Sequence, residues 1–262
     1  MPTTLPGILD TIVQHKRAEA IGTRSDLSAL QHLALTKVPA RRDFLGALRS
    51  CLPAVIAEVK KASPSRGVID QNFDPVRTAQ AYAAGGAAAL SVLTDQRFFQ
   101  GSLADLEAAR AAVSIPVLRK DFTLDEFHVT EAAAHGADAI LLIAAILSVK
   151  EMETLRRKAA EYGMAALVEV HDSDELQQAI DSGAEIIGVN NRDLRTFEIR
   201  TALSLELAPK IPKSVVKVSE SGIHDNAQVK ELMAAGFHAF LVGEHLMRSA
   251  NPAAELMTLR GV

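Results

Sequence analysis

Five ionisable side chains stand near the ends of short apolar, β-branched runs, where core residues would be expected. They are Glu58 and Lys60 in the run 55–60, Lys120 in 117–122, Glu169 in 166–170 and Glu220 in 215–221. Ammonium groups beside carboxylates can polarise a carbonyl, deliver a proton and take one back, and each displaces the other's pKa. Asn190 and Arg192 extend the same pattern at the end of the run 186–190. A lone Lys or Glu at a strand end ordinarily just reaches solvent. Two lysines and three glutamates converging on one place would be costly to desolvate unless they paired with each other or with a ligand. Such a cluster is where acid and base chemistry is expected.

A second set of residues suits an anion. Ser219-Glu-Ser-Gly-Ile-His-Asp225 places Ser221 and Gly222 in a loop ahead of a helix with Asp225 as its N-cap, and Leu241-Val-Gly-Glu244 places Gly243 and Glu244 in a similar turn. Backbone N–H groups at such turns receive phosphate well. Either could equally be no more than a tight turn. Ser63-Pro-Ser-Arg-Gly67 adds hydroxyls and a cation that could close over a substrate, or could form a simple basic loop.

These residues need a frame, and the chain repeats one. Eight apolar runs recur at 55–60, 89–94, 117–122, 139–143, 166–170, 186–190, 215–221 and 239–243, separated by segments of helical composition. The helices end at Gly86, Gly136, Gly183 and Gly236, which lie 50, 47 and 53 residues apart. Glycine is the usual helix C-cap, so each interval holds two βα units. Eight such units predict an α/β fold, a (βα)8 TIM barrel, with a doubly wound open sheet as the alternative. No Gly-x-Gly-x-x-Gly or Walker loop supports that alternative. Alternate side chains of a barrel strand point inward, which directs Glu58 and Lys60, Lys120, Glu169, Asn190 and Glu220 to the interior and Arg119 and Asp121 to the helix side. Active sites of barrels are built at the strand C-terminal ends. Residues 1–262 read as one domain, with 1–50 as a helical extension that packs on one end of the barrel.

Composition narrows the function. The chain has 262 residues, 48% of them hydrophobic, enough for a sizeable core, and a formal net charge of −4. That balance offers no footprint for a nucleic-acid backbone or an anionic membrane. Nine Phe, two Tyr and no Trp are too few to form stacking platforms for bases. Cys51 is the only cysteine, so no intrachain disulfide can form and a reducing compartment fits. Residues 1–6 carry no signal-peptide pattern, and the longest apolar run, 139–147, has nine residues where a membrane span needs about 20. A cytoplasmic protein is expected. His128 and His135 lie on a predicted helix, while His171, His224 and His245 are isolated in sequence, so no metal ligand set can be assembled. Cys51 has no base partner in sequence and reads as structural.

Six blocks in order resemble one family. They are 56–67 (Ile-Ala-Glu-Val-Lys-Lys-Ala-Ser-Pro-Ser-Arg-Gly), 117–122 (Val-Leu-Arg-Lys-Asp-Phe), 167–170 (Leu-Val-Glu-Val), 188–194 (Gly-Val-Asn-Asn-Arg-Asp-Leu), 218–222 (Val-Ser-Glu-Ser-Gly) and 241–244 (Leu-Val-Gly-Glu). Together with Lys16 and Glu19 near the amino terminus, they resemble indole-3-glycerol phosphate synthase of tryptophan biosynthesis. The resemblance implies a carboxy-lyase, without cofactor or metal, that converts 1-(2-carboxyphenylamino)-1-deoxyribulose 5-phosphate to indole-3-glycerol phosphate. It implies Lys120 as the group that protonates the ribulose carbonyl. Lys60 would hold an anionic group and act as acid in the dehydration, and Glu58 and Glu169 would take protons or stabilise charge on the anilino nitrogen. Asn190 and Glu220 would bind sugar hydroxyls and orient the lysines. Ser221, Gly222, Gly243 and the backbone of Glu244 would receive phosphate, with Arg192 and Ser63 helping. Leu93, Phe99, Phe122, Ile143 and Leu194 would form the apolar wall, while Leu141 fits ordinary core better. A small phosphorylated substrate and a monomer are the expected partners. A Schiff-base aldolase and a phosphate-binding barrel without activity remain the rival readings.

Overall fold

The computed structural model describes residues 7–23, 27–64, 66–193, 196 and 198–262. Eight parallel strands close into a barrel: β1 (Ala54–Val59), β2 (Ala89–Leu93), β3 (Val117–Lys120), β4 (Ala139–Ile143), β5 (Ala165–Val170), β6 (Ile186–Asn190), β7 (Val216–Glu220) and β8 (Ala239–Val242). Each pairs with its sequence neighbours, and β8 closes on β1 through the register Ala54 with Ala239 and Ile56 with Leu241. Closure decides against the open sheet.

Side-chain alternation divides the apolar residues into two cores. Ile56, Leu118, Leu141, Leu167, Val218 and Leu241 fill the barrel interior, whereas Val55, Val92, Ile140, Val168, Val189 and Phe240 pack outward against the helices. Burial of the charged residues at the mouth follows from this parity. One step of two residues beyond interior Ile56, Leu118, Leu167 and Val218 stand Glu58, Lys120, Glu169 and Glu220.

Helices α4 (Pro75–Ala84), α5 (Leu103–Ala112), α6 (Glu126–Ala134), α7 (Val149–Glu161), α8 (Ser173–Asp181), α9 (Ala202–Leu207), α10 (Asn226–Ala234) and α11 (Pro252–Arg260) surround the sheet. Their starts are written locally: the side chains of Asp74, Ser102, Asp125, Ser148, Asp172, Asp225 and Asn251 each accept a backbone N–H of the first turn. Gly86, Gly136, Gly183 and Gly236 take φ of 82°, 88°, 77° and 92°, a region that favours residues without Cβ, and so release the chain from helix into strand.

The amino-terminal extension touches both ends of the barrel rather than one. Helix α1 (Gly7–Thr23) reaches the mouth, α2 (Leu27–Lys37) packs along α6, and α3 (Phe44–Ser50) buries Phe44 and Leu48 in the interior core at the opposite end. Arg41 fixes the path between them by donating to the carbonyls of Ala133, Ala137 and Tyr162. No helix among the described residues is long and apolar enough to cross a membrane.

Candidate active site

The strand C-terminal ends open into a cavity of about 310 Å³. Its lining includes Glu58, Lys60, Ser63, Leu93, Phe99, Lys120, Phe122, Ile143, Glu169, Asn190, Arg192, Glu220, Ser221, Gly222, Gly243 and Glu244, together with Leu141. Leu194 lies outside the described residues. Parity explains the convergence: every second residue of a barrel strand faces inward, and the last inward positions surround the mouth.

Lys120 is the centre of the polar floor. Its Nζ donates to Oε2 of Glu169 at 2.7 Å and to Oε2 of Glu220 at 3.1 Å. Burial disfavours the ammonium, but the nearby charges of Glu169, Glu220 and Glu58 outweigh it and hold Lys120 protonated well above the usual lysine range. The two glutamates respond in opposite directions. Burial would raise Glu169, yet Lys120 and His171 hold it well below the ordinary carboxylate range. Burial also raises Glu220, and there Lys120 does not compensate, because Glu169 adds repulsion; Glu220 is pushed up to about 7. Its Oε1 is buried and meets no hydrogen-bond partner among the described residues. One carboxylate thus stays ionised while its neighbour titrates near neutrality, a division that serves acid and base roles.

Across the mouth Lys60 donates to Glu58 Oε1. Close approach fixes two glycines here. A Cβ at Gly243 would stand 2.3 Å from Glu58 Oε1, and one at Gly188 would stand 2.0 Å from Glu220 Oε1, so any side chain at either place would displace a mouth carboxylate. Asn190 joins the two halves. Its Nδ2 donates to Glu169 Oε1 at 3.1 Å, while its Oδ1 accepts from Ser221 Oγ at 2.9 Å and from the Arg192 N–H at 3.0 Å.

One side of the cavity gathers tight backbone turns and arginines. Ser221 and Gly222 follow β7 with φ of 65° and 82°. Glu244, beyond β8, is ringed by cations: Arg66 Nε at 3.3 Å, Arg248 Nε at 3.2 Å and Arg192 Nη2 at 3.9 Å. Arg66 comes from a small hairpin, Ala62–Ser63 paired with Gly67–Val68, so the loop after β1 already leans over the turn after β8. The opposite side is apolar, where the rings of Phe99 and Phe122 lie 6.4 Å apart.

Several contributors are absent from the sequence reading. Ile8, Leu9 and Ile12 of α1 line the cavity. Immediately after β6, Asn191 is buried; its Nδ2 donates to Ser219 Oγ and to the carbonyls of Glu220 and Ser221. It thereby pins the loop that carries Ser221. His171, isolated in sequence, stands between Glu169 and Glu175. Cys51 lies far from the mouth, where Arg260 Nη2 of the last helix donates to its sulfur at 3.2 Å; a guanidinium donor is no base. Among the described residues, no group of three or more His, Cys, Asp or Glu side chains is arranged to hold a metal ion.

The indole-3-glycerol phosphate synthase family model matches residues 9–259. The chain belongs to the indole-3-glycerol phosphate synthase family. A relative of that name from Acidithiobacillus ferrooxidans is 52% identical over 259 residues, covering 96% of this chain and 98% of its own. Another from Chromobacterium violaceum is 50% identical over 259 residues, covering 96% and 97%. Among solved structures, thiamine phosphate pyrophosphorylase from Pyrococcus furiosus superposes with a TM-score of 0.59 at 14% identity, over 79% of this chain and 94% of that one. An N-acetylmannosamine-6-phosphate 2-epimerase from Clostridium perfringens gives 0.59 at 16% identity, over 76% and 89%. At such identities the likeness speaks for the barrel alone. Indole-3-glycerol phosphate synthase membership thus rests on sequence along nearly the whole chain.

Proposed function

We propose that this chain carries out the indole-3-glycerol phosphate synthase reaction: it closes the pyrrole ring of 1-(2-carboxyphenylamino)-1-deoxyribulose 5-phosphate with loss of carbon dioxide and water. The observation that carries the reading is Lys120, held between Glu169 and Glu220 on the floor of a half-apolar, half-cationic cavity. Ring closure joins the carboxylate-bearing aromatic carbon to the ribulose carbonyl carbon. Electrons move onto the carbonyl oxygen, and Lys120 supplies the cation and then the proton as that oxygen becomes strongly basic. Loss of carbon dioxide restores aromaticity. Dehydration then breaks the bond to the new hydroxyl while a proton leaves the carbon next to nitrogen; Lys60 protonates the departing oxygen, and Glu58 or Glu169 takes the carbon-bound proton. Ionised Glu169 also suits the passing positive charge on the anilino nitrogen.

Asn190 and Glu220 position sugar hydroxyls and the lysines. Phosphate lies against Ser221, Gly222, Gly243 and the Glu244 backbone, near Arg192 and Ser63, and the aromatic ring lies against Leu93, Phe99, Phe122 and Ile143. A monomer in the cytoplasm completes the reading, and the single free thiol of Cys51 suits that compartment. A Schiff-base aldolase would need a neutral amine as nucleophile, and Lys120 is held as a cation. Substrate labelled at its carboxyl carbon provides the test: labelled carbon dioxide should appear one-for-one with the indole product, and borohydride should not inactivate the enzyme. Trapping of a lysine by borohydride, without carbon dioxide release, would overturn the reading.

A further inference from the structure

Glu169 divides its two oxygens between different partners. Oε2 accepts from Lys120 at 2.7 Å, while Oε1 faces Asn190 Nδ2 and His171 Nε2, each at 3.1 Å. The His171 contact is an ion pair without the alignment of a full hydrogen bond. On the far side of the ring, Nδ1 stands 3.0 Å from Glu175 Oε2, and that same oxygen accepts the backbone N–H of His171 at 2.8 Å. Glu175 is fixed in turn, because its own N–H is the one that caps α8 on Asp172. The imidazole therefore sits between two carboxylates, with 11% of its side chain exposed.

A neutral imidazole carries one N–H and could serve only one of those oxygens; the cation serves both. Burial opposes that charge, but the contacts with Glu169 and Glu175 prevail and raise His171 to about 10. The charged groups facing Glu169 are Lys120 from β3, Glu220 from β7 and His171 itself; those facing His171 are Glu169 and Glu175.

We propose that His171 is a positioning residue for the reaction: braced by Glu175, it holds Oε1 of Glu169 and so turns Oε2 toward Lys120. The proposal rests on the reaction assigned above. Replacing the imidazole removes one of two cations beside Glu169, so the carboxylate loses both its aim and part of the charge that keeps it ionised.

The test uses the full chain in three forms. His171→Leu removes donor and charge, and its kcat should fall about tenfold or more with KM changed less than about threefold. His171→Gln keeps a donor without the charge. It should recover most of that kcat, yet the acid limb of its pH profile should move up by about one unit, because Glu169 then titrates higher. Glu175→Gln should shift the limb the same way by less. Nitrogen NMR of wild-type protein, with no substrate present, should show the His171 ring doubly protonated near pH 8. A neutral ring there overturns the proposal. So does an unmoved acid limb in His171→Gln and Glu175→Gln, the two variants that decide if His171→Leu does not fold. Wild-type protein that forms no indole product overturns the assigned reaction instead, and is distinguished by the NMR signal, which needs no turnover.

Discussion

The Nζ of Lys120 lies 2.7 Å from Oε2 of Glu169, joining the ends of two strands that are not neighbours in the barrel. Because Glu169 absorbs the lysine charge, Glu220 is left as the carboxylate that titrates, pushed up to about 7 by burial and by Glu169. An acid whose folded pKa is raised contributes stability that is complete below its unfolded pKa, near 4.5, and lost as pH rises through the folded value. Glu220→Gln removes that penalty. The melting temperature of the variant relative to wild type should therefore climb by about 3 °C or more between pH 5 and 8. A difference that stays flat across that window would show that Glu220 is ionised throughout.

Lys16 anchors α1 to the mouth. Its Nζ lies 3.0 Å from Asp121 Oδ1 and 3.2 Å from Asp95 Oδ2, with 7% of the side chain exposed. Burial opposes the Lys16 charge, but Asp121 and Asp95 raise its pKa; burial likewise opposes Asp121, which Arg119 and Lys16 bring down to about 2. Lys16→Met leaves buried carboxylates short of a cation and should cost about 3 kcal/mol or more at neutral pH by urea unfolding. A depressed carboxylate contributes stability above its unfolded pKa that is lost as pH falls, so the gap between variant and wild type should narrow toward pH 3. A loss under about 1 kcal/mol would mean that the helix is held by Leu9, Ile12 and Val13 alone.

Ser221 Oγ donates to Asn190, and the residue stands at the cationic side of the cavity. Ser221→Ala should mainly weaken binding, raising KM about three- to tenfold while kcat stays within about twofold. Equal losses in both parameters would place Ser221 in the chemistry rather than in holding the phosphate end.

What was legible in the sequence was what strand geometry controls. A side-chain period of two separates Lys120, inside, from Arg119, which pairs with Asp121 and Glu131 on the helix side; Asp121, expected on that side too, also lines the cavity, where it meets Lys16. Helix starts and ends were legible because Asp225 and Gly236 act on their own backbone. Helix α2 was not, since only Ala34 of it is buried and Leu33 and Leu35 remain exposed, which leaves no apolar stripe to read. His171 escaped for a different reason. Glu169 and Glu175 flank it closely in sequence, but only the turn from β5 into α8 puts both carboxylates on its ring. The apolar spacing of residues 8–17 was readable, but the bonds of Asn191 and the place of Ile8, Leu9 and Ile12 in the cavity wall depend on partners far along the chain, and the extension's reach to both barrel ends depends on Arg41 finding helix-end carbonyls more than ninety residues away.

Central to the account is Lys120 as the group that acts on the ribulose carbonyl. Indole fluorescence, followed as purified protein meets carboxyphenylamino-deoxyribulose phosphate, tests this most directly when wild type and Lys120→Ala are run side by side. Wild type should form product rapidly, and folded Lys120→Ala should lose about a hundredfold or more in kcat with modest change in KM. A variant that turns over within about threefold of wild type would contradict it and move the proton donor to Lys60.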